Sequence, residues 1–175
     1  MERTNDWVNR VMASRLWKIL LIAQKAVMLV TTVTMLAILG AVVFTRYVFH
    51  VDFYGYDEIV LVSAFWMYFI GASYGMSKEE HVRADIVAMM LSEKQRAFCK
   101  ALAGVIQALL NAAVVVLACQ MVLRSVKTWP VTTSWNIPYL IPQTSILAGF
   151  LITGFYLCVF AVRDIGRYRA LAKGR

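Results

Sequence analysis

The sequence predicts an all-α polytopic membrane protein: four transmembrane helices, both termini cytoplasmic, and short amphipathic helices in the membrane interface. Three observations predict it. Hydrophobic residues make up 61% of the 175 and charged residues only 16%, against roughly 45–50% and about 25% in soluble domains. Charge-free runs of membrane-crossing length recur along the chain. Lys and Arg collect in alternate connections between those runs.

The runs come first. Twenty uncharged residues separate Lys25 from Arg46, nineteen separate Glu58 from Lys78, and twenty-three separate Lys100 from Arg124. A helix rising ~1.5 Å per residue needs about 20 residues to cross a ~30 Å hydrocarbon core, so each of these is one span. The fourth run, Thr128 to Val162, has thirty-five residues, too many for one span and too few for two. All three prolines fall near its start: Pro130, Pro138 and Pro142. Proline removes a backbone donor and disfavours helix in the residue before it. Trp129 to Ile141 therefore reads as an irregular re-entry segment, with Pro142 in the first turn of the last helix, where proline is tolerated. The expected spans are about 24–46, 58–77, 99–124 and 142–163, within one membrane domain covering 1–175. No run alternates with period two, so helices are favoured over a barrel. The first run is longer than a signal-peptide core, and no clear small-x-small cleavage site follows it.

Around the spans lie shorter elements. In the N-terminal segment, 1–18, and just beyond it, Trp7, Val8, Val11, Met12 and Ile19 fall broadly on one side, with Arg10 and Ser14 opposite. This pattern predicts a helix in the inner interface; the alternative is an extension of helix one. After the second span, Val82, Ile86, Met89 and Met90 recur at helical spacing. Ser92 and Gln95 then form the S-x-x-Q pattern of a capping box, which starts the helix that runs into span three. Residues 164–175 form a tail.

Orientation follows from Lys and Arg. Residues 1–25 carry five, the first loop one, the second loop five, the third two and the tail five. The alternation places both termini and the second loop in the cytoplasm. The net charge of +8 is thus read as topology and lipid contact, and not as a nucleic-acid surface.

Chemistry is conspicuous by its absence from the spans. None of the four uncharged runs holds Asp, Glu, Lys, Arg or His, the groups that ion-coupled transporters keep inside the membrane. The two histidines, His50 and His81, fall on opposite sides and cannot share a haem iron. His81 with Glu79, Glu80 and Asp85 reads as solvated loop charge. Cys99, Cys119 and Cys158 have neither disulfide nor metal spacing. The chain therefore reads as no enzyme, with no cofactor or metal of its own. What remains is packing. Gly71 and Gly75 form G-x-x-x-G, and Gln107 and Asn111 share one helix face; these four are the candidates for helix or subunit contact. Trp7, Trp66, Trp129, Trp135 and Tyr139 are the candidate interface anchors.

Several short motifs occur in order: Arg46-Tyr47-Val48-Phe49; Asp57-Glu58; Ile70-Gly71-Ala72-Ser73-Tyr74-Gly75; His81-Val82-Arg83-Ala84-Asp85-Ile86; Trp135-Asn136-Ile137-Pro138; and Ile141-Pro142. In this order the chain resembles, over roughly residues 19–165, the small membrane (Q-type) subunit of tripartite ATP-independent periplasmic transporters. Arg46, Asp57, Glu58, His81, Asp85, Pro138 and Pro142 carry that likeness. Gly55-Tyr56-Asp57-Glu58 departs modestly from the aromatic-Ser/Thr-Glu-Glu-like entry more frequent there. The resemblance implies a bacterial inner-membrane protein paired with a large, many-spanning subunit that holds the substrate and sodium sites and moves as an elevator. It also implies a soluble periplasmic protein that delivers an organic acid anion. The small subunit would serve as stator. Asp52, Asp57, Glu58, Arg124 and Lys127 are then candidates for docking the periplasmic protein; otherwise they cap helices and stay wet. Two other readings stand beside this one: a stand-alone small exporter, and the membrane anchor of a redox complex.

Overall fold

The structure, a computed structural model, describes residues 2–78 and 92–172. Among them are five helices: α1 (Glu2–Ala13), α2 (Arg15–Phe44), α3 (Tyr56–Ser77), α4 (Glu93–Thr128) and α5 (Leu140–Ala172). A π-helical turn, Thr45–Phe49, extends α2. Helices α2 to α5 are each long and apolar enough to cross a membrane. The described residues contain no strand, only one bridge between Val131 and Pro138. The amphipathic pattern around Val82 and Ile86, and with it His81 and Asp85, lies outside the described residues.

The helix boundaries follow local chemistry. Ser14 breaks α1 from α2: its backbone is extended and its hydroxyl accepts the Trp17 amide at 3.2 Å. The predicted N-terminal helix is thus separate from span one. It is docked rather than free, since Val8 is 1% exposed and packs with Val11 and Met12 into a cluster around Trp17, Tyr156 and Phe160. Trp7 faces away, half-exposed. The capping box forms at the start of α4: the Ser92 hydroxyl accepts the Gln95 amide, and the Gln95 side chain accepts the Ser92 amide. Trp129, in left-handed conformation at φ 44°, ends α4. Pro142 sits in the first turn of α5, buried, where no intrahelical amide is needed.

The four long helices run up and down. Helix α5 is central, packed on α4 at one side and α3 at the other, and α3 also packs on α2. Glycines permit the tightest crossings. A Cβ on Gly149 would lie 2.7 Å from the Phe69 carbonyl oxygen, and one on Gly154 would lie 2.7 Å from the Asn111 amide nitrogen. Asn111 donates to the Phe150 carbonyl at 3.1 Å, so its polarity is satisfied within the chain. Gln107, one turn earlier, is exposed. Gly71 only grazes Met28, and Gly75 has nothing within 4 Å of its missing Cβ.

A buried polar knot joins α2, α3 and α5 at the end bearing α1, here the basic end. The Gln24 amide donates to the Ser73 hydroxyl at 2.6 Å, Ser73 donates to the Ile70 carbonyl at 2.8 Å, and the Tyr156 hydroxyl donates to the Gln24 carbonyl oxygen at 3.0 Å. All three side chains are 2% exposed or less. Trp17 stacks edge-on to Tyr156, with centroids 4.6 Å apart. Tyr156→Phe strands the Gln24 acceptor, and we expect it to cost about 0.6–2 kcal/mol, read as a lowered melting temperature of the purified protein.

Candidate functional site: a carboxylate-centred lock

At the opposite end, two connections meet. One is the loop between the π turn and α3. The other is the segment between α4 and α5, residues 129–139. The second folds back on itself. The Tyr139 amide donates to the Pro130 carbonyl and the Thr132 amide to the Ile137 carbonyl, each at 3.0 Å, beside the Val131–Pro138 bridge. Pro130 and Pro138 thus border a turn that they cannot convert to helix. Its tip is Thr133 to Asn136, with Asn136 left-handed at φ 54°.

Glu58 of α3 reaches into this turn. Its Oε2 accepts from the Thr132 hydroxyl at 2.6 Å and the Trp135 amide at 2.9 Å. Its Oε1 accepts from the Ser134 amide at 2.7 Å and, more weakly, the Thr133 hydroxyl at 3.4 Å. The Thr132 hydroxyl accepts in turn from the Ile137 amide at 2.9 Å. Glu58 is only 7% exposed. A carboxylate in the first turn of a helix also lies at the positive end of its dipole, and hydrogen bonds to an ionised acceptor are the stronger kind. One side chain therefore organises the turn from within.

The facing loop is shaped to fit. Gly55 caps α3 in left-handed conformation, φ 78°, and a Cβ there would overlap the Trp135 indole and come within 2.7 Å of Ser134 Cβ. That close approach lets the Trp135 indole nitrogen donate to the Tyr54 carbonyl at 3.2 Å while Phe53 packs edge-on to the same ring. Two further ties close the structure beneath the turn: the Ser125 hydroxyl donates to the Gln143 side-chain oxygen, and the Trp66 indole donates to the Ile141 carbonyl at 3.2 Å.

The structure separates Glu58 from the four charges grouped with it by sequence. Asp52, Asp57, Arg124 and Lys127 are exposed around the lock. Asp52 makes an exposed ion pair with Arg46, 3.7 Å apart, an arrangement of little energetic weight. Glu58 instead turns inward, and its oxygens are taken up by the chain itself. Trp129, Trp135 and Tyr139 lie on the same segment, each 40% exposed or more. The sequence reading did not identify Thr132, Ser134, Gly55, Gln24 or Tyr156 as structural centres. The Thr132-Thr133-Ser134 run, polar amid an apolar stretch, was the available signal for the lock.

Large apolar areas remain uncovered. The most apolar stretch of α2 has no buried residue, and Leu29, Val33 and Leu36 are more than half exposed. Leu109, Leu110 and Leu117 of α4 are as exposed. These faces suit lipid or another membrane protein. In comparison with known families, the model described as "Tripartite ATP-independent periplasmic transporters, DctQ component" matches residues 35–167. Among curated proteins, none matches the chain.

Proposed function

Since the chain belongs to the DctQ component family of tripartite ATP-independent periplasmic transporters, we propose that it is the non-catalytic small permease subunit of a sodium-coupled uptake system for organic acid anions. The observation that carries this reading is the lack of any Asp, Glu, Lys, Arg or His in the four uncharged runs, Ala26–Thr45, Ile59–Ser77, Ala101–Leu123 and Thr128–Val162. Sodium coordination and substrate binding fall to a large partner subunit. This chain serves as its stator, packed through apolar faces left uncovered on α2 and α4, with Gln107 of α4 and Gly71 and Gly75 of α3 as the contact residues to test. A stator requires internal rigidity, which the lock and the polar knot favour. The protein sits in the bacterial inner membrane with its basic end and both termini in the cytoplasm, and the lock faces the periplasm.

Co-expression with the large subunit is the test. The two chains are expected to elute together as one heteromer. Separate, monodisperse elution of this chain would refute the stator role.

The exposed charges about the lock suit docking of the periplasmic binding protein. Charge reversal at Asp52, Asp57, Arg124 and Lys127 together is expected to reduce uptake by roughly tenfold or more while the membrane heteromer still assembles, because rim charges act mainly on encounter and orientation. Unchanged uptake would remove the docking role and leave these residues as wet helix ends.

A further inference from the structure

Several polar side chains within the spans are satisfied by the chain itself. On α2, Thr31 and Thr34 donate to the Val27 and Val30 carbonyls, each at 2.8 Å, and Thr45 donates to the Val42 carbonyl at 3.1 Å. Asn111 and Trp66 donate to carbonyls of α5. Tyr68 of α3 differs. It is 66% exposed, and its hydroxyl has no hydrogen-bond partner among the described residues. A threonine hydroxyl can turn back to a carbonyl of its own helix. A phenol, held away by its rigid ring, cannot. Tyr68 is the tenth of the nineteen residues Ile59–Ser77, which puts it about 14 Å along the helix from either end at ~1.5 Å per residue. From that depth the hydroxyl reaches neither headgroups nor water, and a polar group left unbonded in hydrocarbon is costly.

Its neighbours fix the direction in which it points. Met67 accepts from Thr32 of α2, and Gly71 lies beside Met28 of α2. Phe69 lies against Gly149 of α5. Tyr68 stands between these two flanks, on the side of α3 turned away from both partners. Leu61 and Ala72, two turns and one turn away on that side, are exposed, and a Cβ on Gly75 would meet nothing within 4 Å. We propose that Tyr68 supplies a mid-membrane hydrogen bond to the large subunit, the phenol donating to an oxygen on a helix packed along this outward face of α3. Lipid tails offer no acceptor at that depth, whereas a neighbouring protein helix does. The assignment to the large subunit, and not to a second copy of this chain, rests on the stator role and on membership of a multi-component transporter family. It adds α3 to the contact surface and gives that surface a polar tie.

Tyr68→Phe removes the hydroxyl and keeps the ring. In the co-expressed membrane complex it is expected to raise the dissociation constant of the two membrane chains by about threefold to thirtyfold. The melting temperature of this chain purified alone is expected to stay unchanged, since the hydroxyl bonds nothing within it; a merely structural role would lower it. Tyr54→Phe, which alters an exposed phenol outside the spans, is expected to leave the complex as tight as the parent. In a second arm, a photoreactive phenylalanine analogue replaces Tyr68 and the membranes are irradiated. The expected adduct has the mass of this chain plus the large subunit. Adducts to lipid alone or to a second copy of this chain would overturn the proposal, as would equal dissociation constants for Tyr68→Phe and the parent. In those cases a parent complex that still assembles leaves the stator role standing. If the parent itself does not assemble with the large subunit, the stator role falls and this contact falls with it.

Discussion

Glu58→Ala is expected to give the largest loss of intact protein of any single substitution in this chain. The carboxylate accepts two backbone amides and two hydroxyls. Alanine leaves the Ser134 and Trp135 amides without their acceptor in a half-buried turn, and such groups are costly to strand. The Thr132 hydroxyl loses its acceptor, and the segment between α4 and α5 loses the side chain about which it folds. We expect the yield of assembled protein on size exclusion to fall several-fold and residues 129–139 to become a protease-sensitive site. Glu58→Gln rescues only in part, because each carboxylate oxygen faces two donors and an amide nitrogen would meet donors in place of one acceptor. Asp57→Ala is the control. Its side chain is exposed, and its removal is expected to leave yield and protease resistance near those of the parent. Equal behaviour of the two variants would show that Glu58 is no more than another wet helix end.

Gly149→Val is the second large effect. The new Cβ would stand 2.7 Å from the Phe69 carbonyl oxygen and 2.9 Å from Phe69 Cβ. The obstacle is helix backbone, which cannot rotate aside, so α3 and α5 must separate. Overpacking of this kind costs typically 1–3 kcal/mol and occasionally more, and the upper part of that range is expected here because α3 sits between α5 and α2. A fall in melting temperature of the purified protein reads it. Gly75→Val is the matched comparison: nothing lies within 4 Å of its missing Cβ, so the fold of this chain tolerates it. If Gly75→Val nonetheless abolishes heteromer formation, that glycine lies against the large subunit. A Gly149→Val protein as stable as the parent would mean that the α3–α5 crossing is looser than described.

The four spans were legible because lipid imposes a strong rule. A crossing helix must be apolar over about 20 residues, and the chain keeps to that rule with charge-free runs. The capping box was legible too, since two side chains three residues apart satisfy each other's amides without help from elsewhere. The re-entry segment followed from three prolines. Its interior did not. Asp57 and Glu58 have the same chemistry and neighbouring positions, yet one faces solvent and the other is buried. Helical phase decides between them, since successive residues point about 100° apart, and the phase is set by how α3 packs. Gln24 and Trp17 escaped for a different reason. Lys18 and Lys25 end the uncharged run, but α2 continues past both to Arg15, and the buried face of those extra turns carries the polar knot. Gln107 and Asn111 share one side of α4, yet the edge of the α5 contact falls between them: Asn111 is buried and Gln107 exposed. The decisive glycines, Gly149 and Gly154, lack the four-residue spacing that drew notice to Gly71 and Gly75. The need for each comes from an opposing helix that the local sequence does not contain.

The proposed division of labour leaves transport to the large subunit and gives this chain a supporting role. Vesicles with a sodium gradient and a labelled organic acid anion test that most directly, loaded with this chain alone, with the large subunit alone, or with both, each in the presence of the binding protein. Uptake is expected only when both membrane chains are present. Sodium-driven uptake by this chain on its own would contradict the account.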